Sequence, residues 1–302
     1  MDYRNVMDKD TWDFIETTQS FYPDSRNDLT IEDQRQIYTS LCTHFAKSRP
    51  EGVTSEDQKL GDVPVRRYRT SVAHARVIYF HGGGFVVGGL DSHDDICAEI
   101  CNTTQLEVIA VDYRLAPEHK HPAALEDCLA VLDAVLGEDD TPFLLAGDSA
   151  GAWLAAMVSV ARPGKPIGQV LIYPMLGGAL DQGSYMTHAN APLLSTEQVA
   201  IYWQTYFDCP HNRNNLTPPM ALADLGKSPP TFMLAAGCDP LASDTPDFAR
   251  KIGLSGGKVA FKIADGLPHG FLRGRHTAAA AKESFDEITS AITALSRLEW
   301  PY

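Results

Sequence analysis

The sequence predicts an α/β fold on a mostly parallel sheet, and three observations predict it. Short apolar, β-branched runs recur at RVIYF (76–80), EVIAVDY (107–113), FLLAGD (143–148) and QVLIYP (169–174). Such near-continuous runs suit strands covered on both faces. Helix-length stretches at 92–105, 121–136 and 149–161 lie between them, as parallel crossovers require. After an interruption the same rhythm resumes with TFMLAAG (231–237) and VAFKIADG (259–266).

In chain order, residues 1 to about 55 read as polar and helical. Thr30 caps a helix with Glu32 and Asp33 in its first turn; Ile37, Leu41 and Phe45 recur every fourth residue, and Pro50 lies beyond its end. The strand–helix alternation follows. From Gly177-Gly178 to about 225 no strand pattern appears. That stretch holds one helical segment, STEQVAIYWQTYF, and an Asn/Pro-rich loop, NRNNLTPPM, and reads as an insertion over the sheet. An Ala-rich helix at about 277–297 closes the chain. The 302 residues therefore read as a single domain, with a cap subdomain formed by about 1–50 and 177–225.

Composition bounds the function. Hydrophobic residues at 44% and charged residues at 21% are ordinary for a globular chain. A net charge of −14 repels phosphate backbones and anionic bilayers, which argues against nucleic acid and stable membrane association as partners. The six cysteines (Cys42, Cys97, Cys101, Cys128, Cys209 and Cys238) form no CxxC and no zinc spacing, so free thiols in a reducing cytosol are expected. The opening MDYRNVMDKDTWDF carries acids where a signal peptide needs bases, and no run reaches the ~18 apolar residues of a membrane span. A cytoplasmic location is the expectation.

Chemistry enters with Gly147-Asp148-Ser149-Ala150-Gly151, a G-x-S-x-G pattern between the strand FLLAGD and a helix of small residues. A sharp strand-to-helix turn exposes the serine and needs small neighbours two positions away on either side. His81-Gly82-Gly83-Gly84 follows the strand RVIYF. Its uncovered N–H groups, with that of Ala150, are suited to the oxygen anion of a tetrahedral intermediate. A nucleotide loop fits poorly: there is no GxxxxGK[ST], and Val87 stands where G-x-G-x-x-G needs its third glycine.

Ten histidines compete for the base. Of those beyond Ser149, His188 and His211 fall in the insertion and His276 at the start of the last helix. His269 lies just past a strand, between Pro268 and Gly270. For the acid, Asp239 closely follows TFMLAAG, whereas Asp244 and Asp265 remain alternatives, the first at a helix start and the second close to His269 in sequence. No ligand spacing suggests a metal or organic cofactor.

HGGGFVVGGLDSHD, DYRLAPEHKHPAALEDC, GDSAGAWLAA, GCDPLASD and LPHGF, in this order over about 76–275, resemble the hormone-sensitive lipase family of bacterial carboxylesterases, its acetyl esterase branch above all. The resemblance implies an α/β-hydrolase fold, an about eight-stranded mostly parallel sheet flanked by helices with a helical cap. It implies Ser149 as nucleophile, Asp239 as acid, His269 as base and an oxyanion hole at Gly83, Gly84 and Ala150. His81, Asp94, Tyr113, Arg114 and Glu118 match family positions and read as loop-positioning residues. Trp153 stands where many relatives carry Asn, either narrowing the pocket or filling the core. Tyr202, Trp203, Tyr206 and Phe207 pose the same alternative of acyl pocket or core. The expected activity is hydrolysis of small carboxylic esters with short acyl chains, by a monomer or homodimer. An amidase, lactonase or acyltransferase, or a ligand-binding relative without catalysis, is the alternative.

Overall fold

The computed structural model describes residues 1–23, 29–70, 73–208, 218–223 and 225–302. Six of its strands are those read from the sequence: β3 (Arg76–Phe80), β4 (Glu107–Val111), β5 (Phe143–Asp148), β6 (Gly168–Ile172), β7 (Thr231–Cys238) and β8 (Val259–Pro268). The run 107–113 stops early because the chain leaves the sheet at Asp112, and β8 continues to the residue before His269.

Two further strands, β1 (Thr54–Leu60) and β2 (Val63–Arg69), precede them. They form a hairpin whose two connecting residues, Gly61 and Asp62, both have positive φ, the geometry that matches strand twist. The apolar-run criterion misses this hairpin because β1 is a largely exposed edge strand of polar residues and β2 carries a proline.

The eight strands form one sheet in the order β1-β2-β4-β3-β5-β6-β7-β8. β1, β2 and β4 pair antiparallel, and every pair from β4 to β8 is parallel. Side chains alternate between two apolar layers. Ile78, Phe80, Ile109 and Leu145 face the side covered by α4 (Ala123–Leu136) and α5 (Ala150–Ala161). Val77, Tyr79, Val108 and Leu144 face α3 (Asp94–Thr104) and α9 (Ala279–Ser296). Both layers are filled, so continuous apolar runs are what the strands need.

The N-terminal helices α1 (Lys9–Ser20) and α2 (Ile31–Phe45) make a third cluster, in which Phe14, Ile15, Leu41 and Phe45 pack with Cys238 at the end of β7. Thr30 caps α2 in a reciprocal capping box with Asp33. Between β6 and β7 lie α6 (Gly183–Thr187) and α7 (Thr196–Phe207), and α8 (Asp244–Leu254) precedes β8. Residues 209–217, which hold Cys209, His211 and the first part of the Asn/Pro-rich loop, lie outside the described residues. Among the described residues no helix is long and apolar enough to cross a membrane.

Candidate active site

The strands β3, β5, β7 and β8 run parallel, so the residues just past their C-terminal ends gather at one edge of the sheet. The loop Gly82–Gly84, Ser149, Asp239 and His269 all sit there.

Ser149 occupies φ 54°, ψ −117°, a strained conformation for a residue with a side chain. Hydrogen bonds hold it on both sides: its N–H donates to Ile172 O at 2.9 Å, and its carbonyl accepts from Met175 N at 3.3 Å. Tight crossing of α5 over β3 makes the turn possible. A Cβ at Gly151 would lie 1.9 Å from the Phe80 carbonyl oxygen, and one at Gly147 would lie 2.6 Å from Gly151. The glycines of G-x-S-x-G are thus demanded by main-chain contact.

His269 Nε2 is 2.9 Å from Ser149 Oγ, and His269 Nδ1 is 2.7 Å from Asp239 Oδ2. Asp239 is fully buried, and its second oxygen accepts from Leu241 N at 2.9 Å, which fixes the carboxylate plane. The Tyr173 ring packs 4.8 Å from the imidazole. Of the other acids considered, Asp265 is exposed on β8. Asp244 is buried elsewhere, accepting from Leu176 N at 2.6 Å and Gly177 N at 3.1 Å. It does more than cap a helix: it ties the 177–223 segment to α8.

The glycine loop faces the same space. Gly83 has φ +125°, and a Cβ there would lie 2.1 Å from the Val87 carbonyl oxygen. Ala150 is the first residue of α5, where a helix leaves its N–H without an intrahelical acceptor.

Sequence reasoning missed what holds this loop. Asp148, the buried residue before Ser149, accepts from Gly82 N at 2.9 Å, Tyr79 Oη at 2.8 Å and Tyr173 Oη at 3.2 Å. His93 Nε2 lies 3.3 Å from Asp148 Oδ1, without hydrogen-bond alignment. Burial would raise the Asp148 pKa, but His93, Arg273 and Tyr79 hold it well below the usual carboxylate range. The signal was present as a charged residue ending the apolar run FLLAGD. His81 stacks on Tyr113 at 4.2 Å and contacts Gly82 O through Nδ1 at 2.8 Å. Burial pushes its pKa down to about 3, so it stays neutral. Arg114 pairs with Asp127, Glu118 with Arg35, and Asp94 with Arg49 and Arg66.

A cavity of about 540 Å³ opens on Ser149 and His269, lined by Gly83 and Gly84, by Phe14, Tyr38 and Leu41 from α1 and α2, and by Val199 and Tyr202 from α7. Tyr202 therefore faces the cavity. Trp203, Tyr206 and Phe207 belong to the core, where Trp153 lies 5.5 Å from Phe207 and Phe85 stacks on Tyr206 at 3.9 Å. Trp153 fills the core and leaves the cavity untouched.

The profile of a family described as alpha/beta hydrolase fold matches residues 77–273. Carboxylesterase NlhH of Mycobacterium tuberculosis is 34% identical over 242 residues, 74% of this chain and 76% of that protein. Ethyl acetate hydrolase of Pseudomonas putida is 34% identical over 230 residues, 70% of this chain and 72% of that one. The esterase structure from Pyrobaculum calidifontis superposes with a TM-score of 0.82 at 27% identity, over 92% of this chain and 97% of that one. With its eight-stranded sheet, this chain belongs to the α/β-hydrolase fold family and, within it, to the carboxylesterases.

Proposed function

We propose that this chain hydrolyses small carboxylic esters, preferring short acyl groups, with Ser149 as nucleophile, His269 as general base and Asp239 as its orienting acid. The observation that carries the reading is the unbroken contact chain Ser149–His269–Asp239, at 2.9 and 2.7 Å, opening on a cavity of ligand size. His269 Nδ1 donates to Asp239, which leaves Nε2 free to accept the serine proton. As Oγ attacks the ester carbonyl, the N–H groups of Gly83, Gly84 and Ala150 receive the developing oxygen anion. The protonated imidazole then hands its proton to the departing alcohol. Water repeats the cycle on the acyl-enzyme and releases the acid.

Residues 1–50 and 177–225 act in this reading as a cap, since α1, α2 and α7 line the cavity above the serine. The names of the relatives from Mycobacterium tuberculosis and Pseudomonas putida support ester cleavage, and the second supports a short acyl group. The five described cysteines are free and buried, which supports a reducing, cytoplasmic setting.

The test is a p-nitrophenyl ester series from acetate to palmitate, with wild type beside Ser149→Ala. Turnover is expected on acetate and butyrate, falling by about 10³-fold or more in the variant. Folded wild type that cleaves no open-chain ester, while cleaving amides or lactones, would overturn the assignment.

A further inference from the structure

Four arginines are buried among the described residues: Arg67, Arg76, Arg273 and Arg275. Three of them meet carboxylates. Arg67 and Arg76 share Glu107 at 3.0 and 2.7 Å, and Arg275 reaches Asp95 at 2.6 Å and Glu99 at 2.7 Å. Arg273 is different. It is 8% exposed, and among the described residues no carboxylate lies within 4 Å of its guanidinium.

The hydrogen-bond partners of Arg273 are neutral groups on α2. Nη2 donates to Tyr38 Oη at 2.5 Å and Nε to Cys42 Sγ at 3.0 Å. Nη1 makes no hydrogen bond among the described residues, and Arg273 lines the cavity that Ser149 and His269 share. Asp148, whose charge reaches Arg273, is already engaged by Tyr79, Gly82 and Tyr173. A cation taken from water whose hydrogen-bond partners are all neutral is costly, and the cost falls when an anion pairs with it directly. A guanidinium edge matches the two oxygens of a carboxylate.

We propose that Arg273 makes this cavity select esters that carry a carboxylate on the acyl or alcohol half. The proposal rests on the esterase reading of the same site and names its substrate class. The net charge of −14 and the exposed Glu197 among the lining residues oppose the arrival of anions. Selection therefore acts on the bound substrate, and its signature is in KM.

The experiment compares isosteric pairs: ethyl hydrogen glutarate against its amide, ethyl glutaramate, and 3-acetoxypropanoate against 3-acetoxypropanamide. Wild type, Arg273→Gln and Arg273→Lys are assayed by pH-stat, with melting curves to verify folding. In at least one pair the carboxylate should be preferred by about tenfold or more in kcat/KM, the size of one charge-assisted hydrogen bond. That ratio should collapse in R273Q and survive in part in R273K. Ratios below about twofold in both wild-type pairs, or a preference unchanged in R273Q, would overturn the proposal and leave the esterase reading standing. A purely structural clamp on α2 predicts equal loss on charged and neutral esters. Should R273Q fail to fold, the wild-type ratios decide, together with inhibition by glutarate against glutaramide. If no ester is cleaved at all, the esterase reading fails instead, and calorimetric binding of glutarate to wild type judges the carboxylate site.

Discussion

Asp148 and Asp244 are both sealed from solvent, one directly before Ser149 and the other at the root of the 177–223 segment. Burial disfavours the charge of each, yet their protonation moves in opposite directions. At Asp148 the imidazole of His93, the charge of Arg273 and the hydroxyl of Tyr79 overcome burial, and the carboxyl is held well below its usual range. Around Asp244 stand dipoles: the N–H groups of Leu176, Gly177 and Gly178 and the hydroxyl of Tyr185. They offset burial incompletely, and its pKa is pushed up to about 7. Dipoles satisfy a buried carboxylate geometrically, but neighbouring positive charge is what keeps it ionised. The floor of the cavity is thus locked by charge and main-chain crossing, while the segment above hangs on a group that titrates.

The largest test strikes the floor. Gly151→Ala would put a methyl group 1.9 Å from the Phe80 carbonyl oxygen and 2.6 Å from that of His81, both backbone atoms. We expect about 3 kcal/mol or more of lost stability, read by denaturant unfolding, and at least about a hundredfold loss of kcat. A variant within about 1 kcal/mol of wild type would show the floor to be as yielding as its cover.

The two aspartates sharpen the comparison through pH. A depressed pKa in the fold means that Asp148 contributes stability above its unfolded pKa of about 4, lost as pH falls below it. Asp244 has the opposite sign. Its raised pKa means that the fold binds a proton the unfolded chain has released, so stability declines as pH rises from about 4 to about 7. Urea unfolding between pH 3 and 8 should show Asp244→Asn flattening the decline above pH 4. Asp148→Asn should flatten the loss below it and cost about 2 kcal/mol near neutrality. Identical pH profiles for the two variants would sink the contrast.

The smallest expected effect lies in the cover. Thr30→Ala removes the cap of α2, the helix that carries Tyr38 and Leu41 to the cavity, and should cost about 1 kcal/mol in unfolding experiments.

The five strands β3 to β7 were legible because each is buried on both faces, a demand that writes itself into consecutive residues, and the exposed edge strand β8 was read from the resumed strand–helix rhythm. The β1–β2 hairpin was not, since a largely exposed edge strand makes no such demand; its one signal was the Gly61-Asp62 turn. Ser149, His269 and Asp239 could be selected from chain order and strand ends. Which acid touches the imidazole was a question of distance between loops, and Asp244 and Asp265 lost their place only in three dimensions.

By itself the sequence determined the α/β architecture, the strand-to-helix turn at Ser149 and the glycine loop, because these depend on local runs, turn sterics and residues that are neighbours in the chain. The tertiary structure alone decided that Trp153 fills the core, that Tyr202 faces the cavity, and that Asp148 anchors Gly82. It also decided that Arg273 meets Tyr38 and Cys42 more than 200 positions away, with no carboxylate within 4 Å among the described residues. Burial and charge pairing are properties of what folds against a residue, and no local pattern encodes the partner that is missing.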